Sequence, residues 1–243
     1  MAQARGHRLA GRIALITGAS RGIGAAVAKH CAAEGAHVIL LARTQGGLEE
    51  VDDAIRAAGG SATLVPLDLR DFAKIDELGA AIYQRFGRLD ALIGIAGVLG
   101  ALSPLGHIEP KTWQEAMDVN LTANWRLIRV LDPLLRRSSS GRAVFATCGA
   151  ARDLAPYWGA YAASKAALEA MVRIYAGENA RTTLRANLVD PGAVRTRLRL
   201  TAFPAEEQDT LTRPEDVTEP FIALAAADCD KNGEIVGAGQ AVG

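Results

Sequence analysis

Short apolar runs alternate with longer stretches of helical periodicity from residue 13 onward. IALIT (Ile13–Thr17), HVILLA (His37–Ala42), ATLVPL (62–67), DALIGI (90–95), AVFAT (143–147) and RANLVD (Arg185–Asp190) are brief and rich in branched residues, as buried strands are. Between them, residues 22–34, 46–58, 71–86, 112–136 and 160–178 are rich in helix formers and carry apolar positions at helical spacing. Strands and helices in such regular alternation imply parallel strands joined by right-handed crossovers, with helices on both faces. The expected fold is therefore α/β: a single doubly wound domain over residues 1–243, with no repeat or linker to mark a second. The one long irregular stretch, 195–213 with Pro204, is expected to act as a substrate lid.

Composition narrows the partners. The 243 residues carry 27 Lys and Arg against 27 Asp and Glu, so the formal net charge is zero and neither nucleic acid nor an acidic membrane surface is expected. No apolar run reaches the ~18–20 residues of a membrane span, and MAQARGHRLAGR leads directly into the first strand without a signal-like apolar region. A cytoplasmic protein with a small-molecule ligand is the expectation. Cys31, Cys148 and Cys229 are odd in number and widely spaced, which argues against a disulfide framework and against a metal cluster.

In a doubly wound sheet, ligands bind beyond the carboxyl ends of the strands, so residues that follow strands carry the most weight. After the first strand comes TGASRGIG, residues 17–24. Gly18 suits a backbone conformation denied to other residues, Gly22 admits close approach of a pyrophosphate, and Gly24 permits tight helix-sheet packing. The helix start behind them offers free N–H groups and a positive dipole to phosphate. The second strand ends in LLAR, where a fold preferring NAD usually carries an acid for the ribose hydroxyls. Arg43 stands there instead. With Arg21 from the glycine turn it is suited to a 2′-phosphate, which favours NADP (NADPH) over NAD. Asp68, after the third strand, is placed either to reach an adenine amino group or to cap the next helix.

Tyr161 and Lys165 in YAASK stand four apart on a helix and so share a face. A tyrosine begins near pKa ~10, and a neighbouring ammonium favours its phenolate, which suits the pair to acid-base work on a carbonyl or alcohol. Taken with TGASRGIG, DVNL (118–121) and DPGAVRT (190–196), the YAASK motif closely resembles the short-chain dehydrogenase/reductase family over nearly the whole chain. The resemblance implies a single Rossmann-like domain with a sheet of about seven strands, GEIVGAG (233–239) as the last, and hydride transfer between NADP(H) and a carbonyl or secondary alcohol. It also implies a homodimer or homotetramer assembled through the two long helices. By resemblance Tyr161 is the acid and base, Lys165 its partner, and Asn120 holds a water in the relay. The cofactor set implied is Gly18, Ser20, Arg21, Gly22, Ile23, Gly24, Arg43, Asp68, Leu69, Ala96, Gly97, Tyr161, Lys165, Pro191, Gly192, Val194 and Thr196.

Two positions depart from the family pattern. Where the family carries a serine, thirteen residues before the tyrosine, this chain has Cys148, a weaker hydrogen-bond donor toward a developing oxyanion. Thr147 carries a hydroxyl one residue earlier but should point to the opposite face. Cys148 is either a weakened member of the catalytic set or an innocuous variant, and an NADP(H)-binding protein of low turnover, a sensor or assembly subunit, is the alternative reading. In GIAG (94–97), Ile95 replaces an asparagine that braces the middle strands in relatives. Leu99, Leu102, Tyr157, Trp158 and Phe203 are candidates for an apolar substrate pocket.

Overall fold

The protein is described here by a computed structural model covering residues 7–238. Expectations that fall on 1–6 and 239–243, the last glycine of GEIVGAG among them, lie outside the described residues. The strands are β1 (Ile13–Thr17), β2 (His37–Ala42), β3 (Ser61–Pro66), β4 (Ala91–Gly94), β5 (Arg142–Ala146), β6 (Arg185–Asp190) and β7 (Ile235–Gly237). They form one parallel sheet in the order β3-β2-β1-β4-β5-β6-β7. Around it pack α1 (Gly22–Ala33), α2 (Gln45–Ala57), α3 (Phe72–Phe86), α4 (Pro110–Met117), α5 (Ala123–Leu135), α6 (Ala150–Asp153), α7 (Gly159–Glu178), α8 (Arg197–Ala202) and α9 (Glu219–Ala225). The α/β class and the doubly wound sheet are those that the alternation implies.

Side chains alternate along each strand, and the alternation builds two apolar layers. Ala14 and Ile16 of β1, with Val38 and Leu40 of β2, face α1, α2 and α9, where Val27, Val51 and Phe221 are buried. Leu15, Ile39, Leu41 and Phe145 face the other way, toward Ile75, Leu131 and Val172 of α3, α5 and α7. Each such side chain, fully buried, contributes about 1.5–3 kcal/mol relative to exposure. Among the described residues no helix is long and apolar enough to cross a membrane.

The strand order reverses at β1, whose Thr17 pairs with Leu41 of β2 on one side and Gly94 of β4 on the other. A crevice opens there at the carboxyl edge of the sheet, as such a reversal requires.

Two segments differ from expectation. The stretch 112–136 is not one regular helix: between α4 and α5, Asp118–Thr122 widens into a π turn. The extra residue turns Asn120 fully inward, where its amide pairs with the main chain of Val98, and the carbonyl of Asn120 is met by the Asn124 amide at 2.9 Å. The stretch 195–213 is not irregular throughout, because Thr196 accepts from the Arg199 N–H and caps α8, a helix too short to show periodicity in sequence.

Candidate active site

The crevice holds a cleft of about 1160 Å³ whose walls bring most of the expected residues together. Gly18, Ser20, Arg21, Gly22, Ile23 and Gly24 line one end, with Arg43, Asp68, Leu69, Ala96 and Gly97 beside them; Cys148, Tyr161, Lys165, Pro191, Gly192, Val194 and Thr196 line the other. The glycine turn is as tight as its sequence suggests. Gly18 has φ +68, and a Cβ on Gly24 would stand 2.2 Å from the Gly18 carbonyl oxygen. Arg21 occupies the N-cap of α1 in extended conformation without a side-chain cap, so the first-turn N–H groups face the cleft free of a protein acceptor from that residue. A negatively charged phosphate fits this surface on charge and on space.

At the ribose end Arg43 is half exposed, its guanidinium 4.0 Å from Asp68. Asp68 is neither a helix cap nor a free carboxylate. Asp71 caps α3, and Asp68 is gripped by Arg70, whose Nη2 donates at 2.6 Å and whose main-chain N–H donates at 2.9 Å. Arg70 and then Arg43 hold the Asp68 carboxyl below its usual range. The middle strands are braced without the asparagine of the family pattern: the N–H groups of Ile95 and Ala96 both donate to Thr17 Oγ1, at 3.0 and 3.1 Å.

Tyr161 and Lys165 are both nearly buried on α7. Lys165 Nζ lies 6.0 Å from the Tyr161 ring centre and donates to the Ala146 carbonyl at 2.8 Å. Burial drives the Tyr161 phenol well above the ordinary tyrosine range, and Cys148 and then Asp190 add to the rise. This reverses the shift expected from the ammonium alone. Desolvation dominates, and burial also lowers the pKa of the Lys165 ammonium against the pull of Cys148 and Glu169.

Asn120 stands behind the cleft wall rather than on it. Its Nδ2 donates to the Val98 carbonyl and to Ser164 Oγ, each at 2.9 Å, and its Oδ1 accepts from the Val98 N–H. Both amide hydrogens are thus committed, and a water is left only the spare lone pair of Oδ1. A Cβ on Gly97 would come 3.3 Å from that oxygen and 3.7 Å from Lys165 Nζ, so the two groups look onto the same small space.

Thr147 and Cys148 both line the cleft at the end of β5, and the Thr147 hydroxyl donates to Glu169 Oε1 of α7 at 2.6 Å. Leu99, Trp158 and Phe203 line the apolar end, whereas Leu102 and Tyr157 are exposed and stand off it. Trp158 packs between Tyr161 and Phe203, with ring centres at 6.0 and 5.6 Å, and Arg199 lies 3.9 Å over Phe203 while paired with Glu206.

The family profile described as short chain dehydrogenase matches residues 12–207. The chain belongs to this family. Oxidoreductase YciK of Escherichia coli is 38% identical over 220 residues, covering 89% of this chain and 87% of its own. The 2,3-dihydro-2,3-dihydroxybenzoate dehydrogenase of Bacillus subtilis is 35% identical, covering 81% of this chain and 75% of its own. Among solved structures, a short chain dehydrogenase from Shigella flexneri complexed with NADP superposes with a TM-score of 0.93 at 36% identity, over 97% of this chain and all of that one. Its relatives are thus oxidoreductases, and this short chain dehydrogenase is one by family.

Reading the sequence of this short chain dehydrogenase missed Thr17, Ser164, Arg152 and Glu169. Thr17 was open to discovery, since it ends the first strand at the point where strand order reverses. The other three act through contacts between distant positions that no local spacing announces.

Proposed function

We propose that the chain is an NADP(H)-dependent carbonyl reductase or secondary-alcohol dehydrogenase in which Tyr161 is the acid and base. The observation that carries this reading is the convergence, in one cleft, of an uncapped glycine-rich helix start, Arg21 and Arg43, and the Tyr161–Lys165–Cys148 cluster. When bound, NADPH supplies the hydride. Gly18, Ser20, Gly22, Ile23 and Gly24 hold its pyrophosphate, Arg43 and Arg21 its 2′-phosphate, Asp68, Leu69, Ala96 and Gly97 its adenosine, and Pro191, Gly192, Val194 and Thr196 its nicotinamide half. The preference for NADP over NAD rests on Arg43 standing where an acid would otherwise meet the ribose.

Tyr161, held protonated by burial, donates its phenolic proton to the carbonyl oxygen and takes it back when an alcohol is oxidised. Lys165 steadies the phenolate left behind. Cys148 offers its thiol hydrogen to the same oxygen, and Asn120 shares with Lys165 the space above Gly97 through which the proton is replaced. Residues 195–213, α8 included, form the lid over the apolar end. Trp125 of α5 and Ile174 of α7 are exposed, which supports assembly of two or four copies through these helices.

The test compares wild type with Tyr161→Phe for NADPH binding and for turnover of a panel of carbonyls. Turnover is expected to fall about 10²-fold or more with binding preserved. Undiminished turnover rejects the role of Tyr161, and saturable NADPH binding by a wild type that reduces no carbonyl favours a binding protein instead.

A further inference from the structure

Beside the cleft, three elements that carry candidate site residues meet on one side chain. Arg152, in the short α6 that follows Cys148, donates through Nη1 to Glu169 Oε1 and through Nη2 to Asp190 Oδ2. Glu169 lies one turn beyond Lys165 on α7, on the same face, and its Oε1 also accepts the Thr147 hydroxyl at the end of β5. Asp190 ends β6, and its Oδ1 accepts the Gly192 N–H at 3.0 Å, which fixes the turn leading to Val194 and Thr196. Both carboxylates are largely enclosed, with side-chain exposures of 11% for Glu169 and 17% for Asp190. With Lys165 and Arg152 they make a cluster of two cations and two anions.

The loop between α6 and α7 gives a second, independent observation. Leu154 and Tyr157, neither of them glycine, adopt φ of 50 and 74. Residues persist in the left-handed region only where their surroundings over-determine the backbone. One end of this loop is tied by Arg152, and the other by the Ser103 N–H donating to the Tyr157 carbonyl at 3.0 Å.

We propose that Arg152 is a positioning residue, a clamp that seats the loop carrying Cys148 against the helix carrying Tyr161 and Lys165 and against the exit of β6. Its fork spans two carboxylates on different elements, which the compact ammonium of a lysine cannot do with the same directionality. Because Glu169 also takes the Thr147 hydroxyl, the clamp ties down the residue next to Cys148 at the end of β5. The inference rests on the reading given under Proposed function for its effect on turnover, but not for its effect on the loop.

The experiment compares wild type, Arg152→Lys and Arg152→Gln by kcat, the Kd for NADPH, thermal melting, and the rate at which iodoacetamide alkylates Cys148, followed on the Cys148 peptide by mass spectrometry. Arg152→Gln is expected to lower kcat about 10- to 100-fold, the scale of a displacement of about 1 Å at a reacting group, with the NADPH Kd changed less than about twofold. Arg152→Lys should recover part of the loss. Alkylation of Cys148 should quicken about threefold or more in Arg152→Gln as the loop opens locally. An unchanged kcat together with an unchanged alkylation rate overturns the clamp. So does a parallel fall in kcat, NADPH affinity and melting temperature that lysine does not relieve, because that marks general support of the fold. If the wild type reduces no carbonyl, the proposed reaction fails and the alkylation rates alone decide: quickening upholds the clamp, and equal rates remove it.

Discussion

Exchanging the Cys148 thiol for a hydroxyl isolates one contact of the candidate site. No nearby hydroxyl competes for the role: Thr147 Oγ1 is committed to Glu169 at 2.6 Å, and Ser164 Oγ donates to the Tyr161 carbonyl at 2.8 Å. In the proposed reaction Cys148 is therefore the donor beside Tyr161 toward the carbonyl oxygen. Loss of a good oxyanion donor costs ~10²–10³-fold in rate, and a thiol keeps part of that function. Cys148→Ser should accordingly raise kcat by about three- to thirty-fold, which is about 0.7–2 kcal/mol of transition-state stabilisation. Cys148→Ala should lower kcat or leave it unchanged. The assay is steady-state reduction of one active carbonyl at saturating NADPH, with the three proteins side by side. Agreement of all three rates within error refutes the reasoning, as does a serine variant slower than the alanine one.

Arg43→Ala should weaken NADPH by ~1.5–3 kcal/mol and leave NADH nearly unchanged in fluorescence titrations. The half-exposed side chain puts the result toward the lower end of that range, and equal weakening of both cofactors rejects the assignment. The pH dependence follows from burial of two phenols. Tyr161 and Tyr175 are both raised above their ordinary value of 10.0, so their neutral forms stabilise the fold below that pH and the contribution is lost as pH rises through the folded-state values. Melting temperature should fall at high pH as the buried pair ionises, and a melting temperature independent of pH above 10 would contradict this.

β1, β2 and β6 are legible in sequence to the residue because each is a short apolar run closed by a turn or a charged residue. α6, α8 and α9 are not, since four to seven residues hold less than two turns of pattern. Within the cleft, residues anchored to motifs at strand ends arrive where spacing puts them. What spacing cannot give is the state of each group. The phenol of Tyr161 shifts upward because it is desolvated, and that burial depends on packing from several elements. Asp68 is gripped by Arg70, two residues on, a pairing that neither role open in sequence announces. The main chain at Ile95 is tied by Thr17, distant in sequence, which supplies the acceptor.

The π turn at Asp118–Thr122 also bears on which insertions and deletions this chain tolerates. Each residue advances a helix by about 100°, so the extra residue sets the phase between the two halves. It lets Ala116 before the turn and Leu127 and Leu131 after it all face inward, while Asn120 keeps its grip on Val98. Loss of one residue here would leave an ordinary, continuous helix that is locally the more regular of the two. That helix could satisfy the core or the cleft, but not both, so a change that improves the helix as a helix uncouples the packing of its far end from the chemistry at its near end.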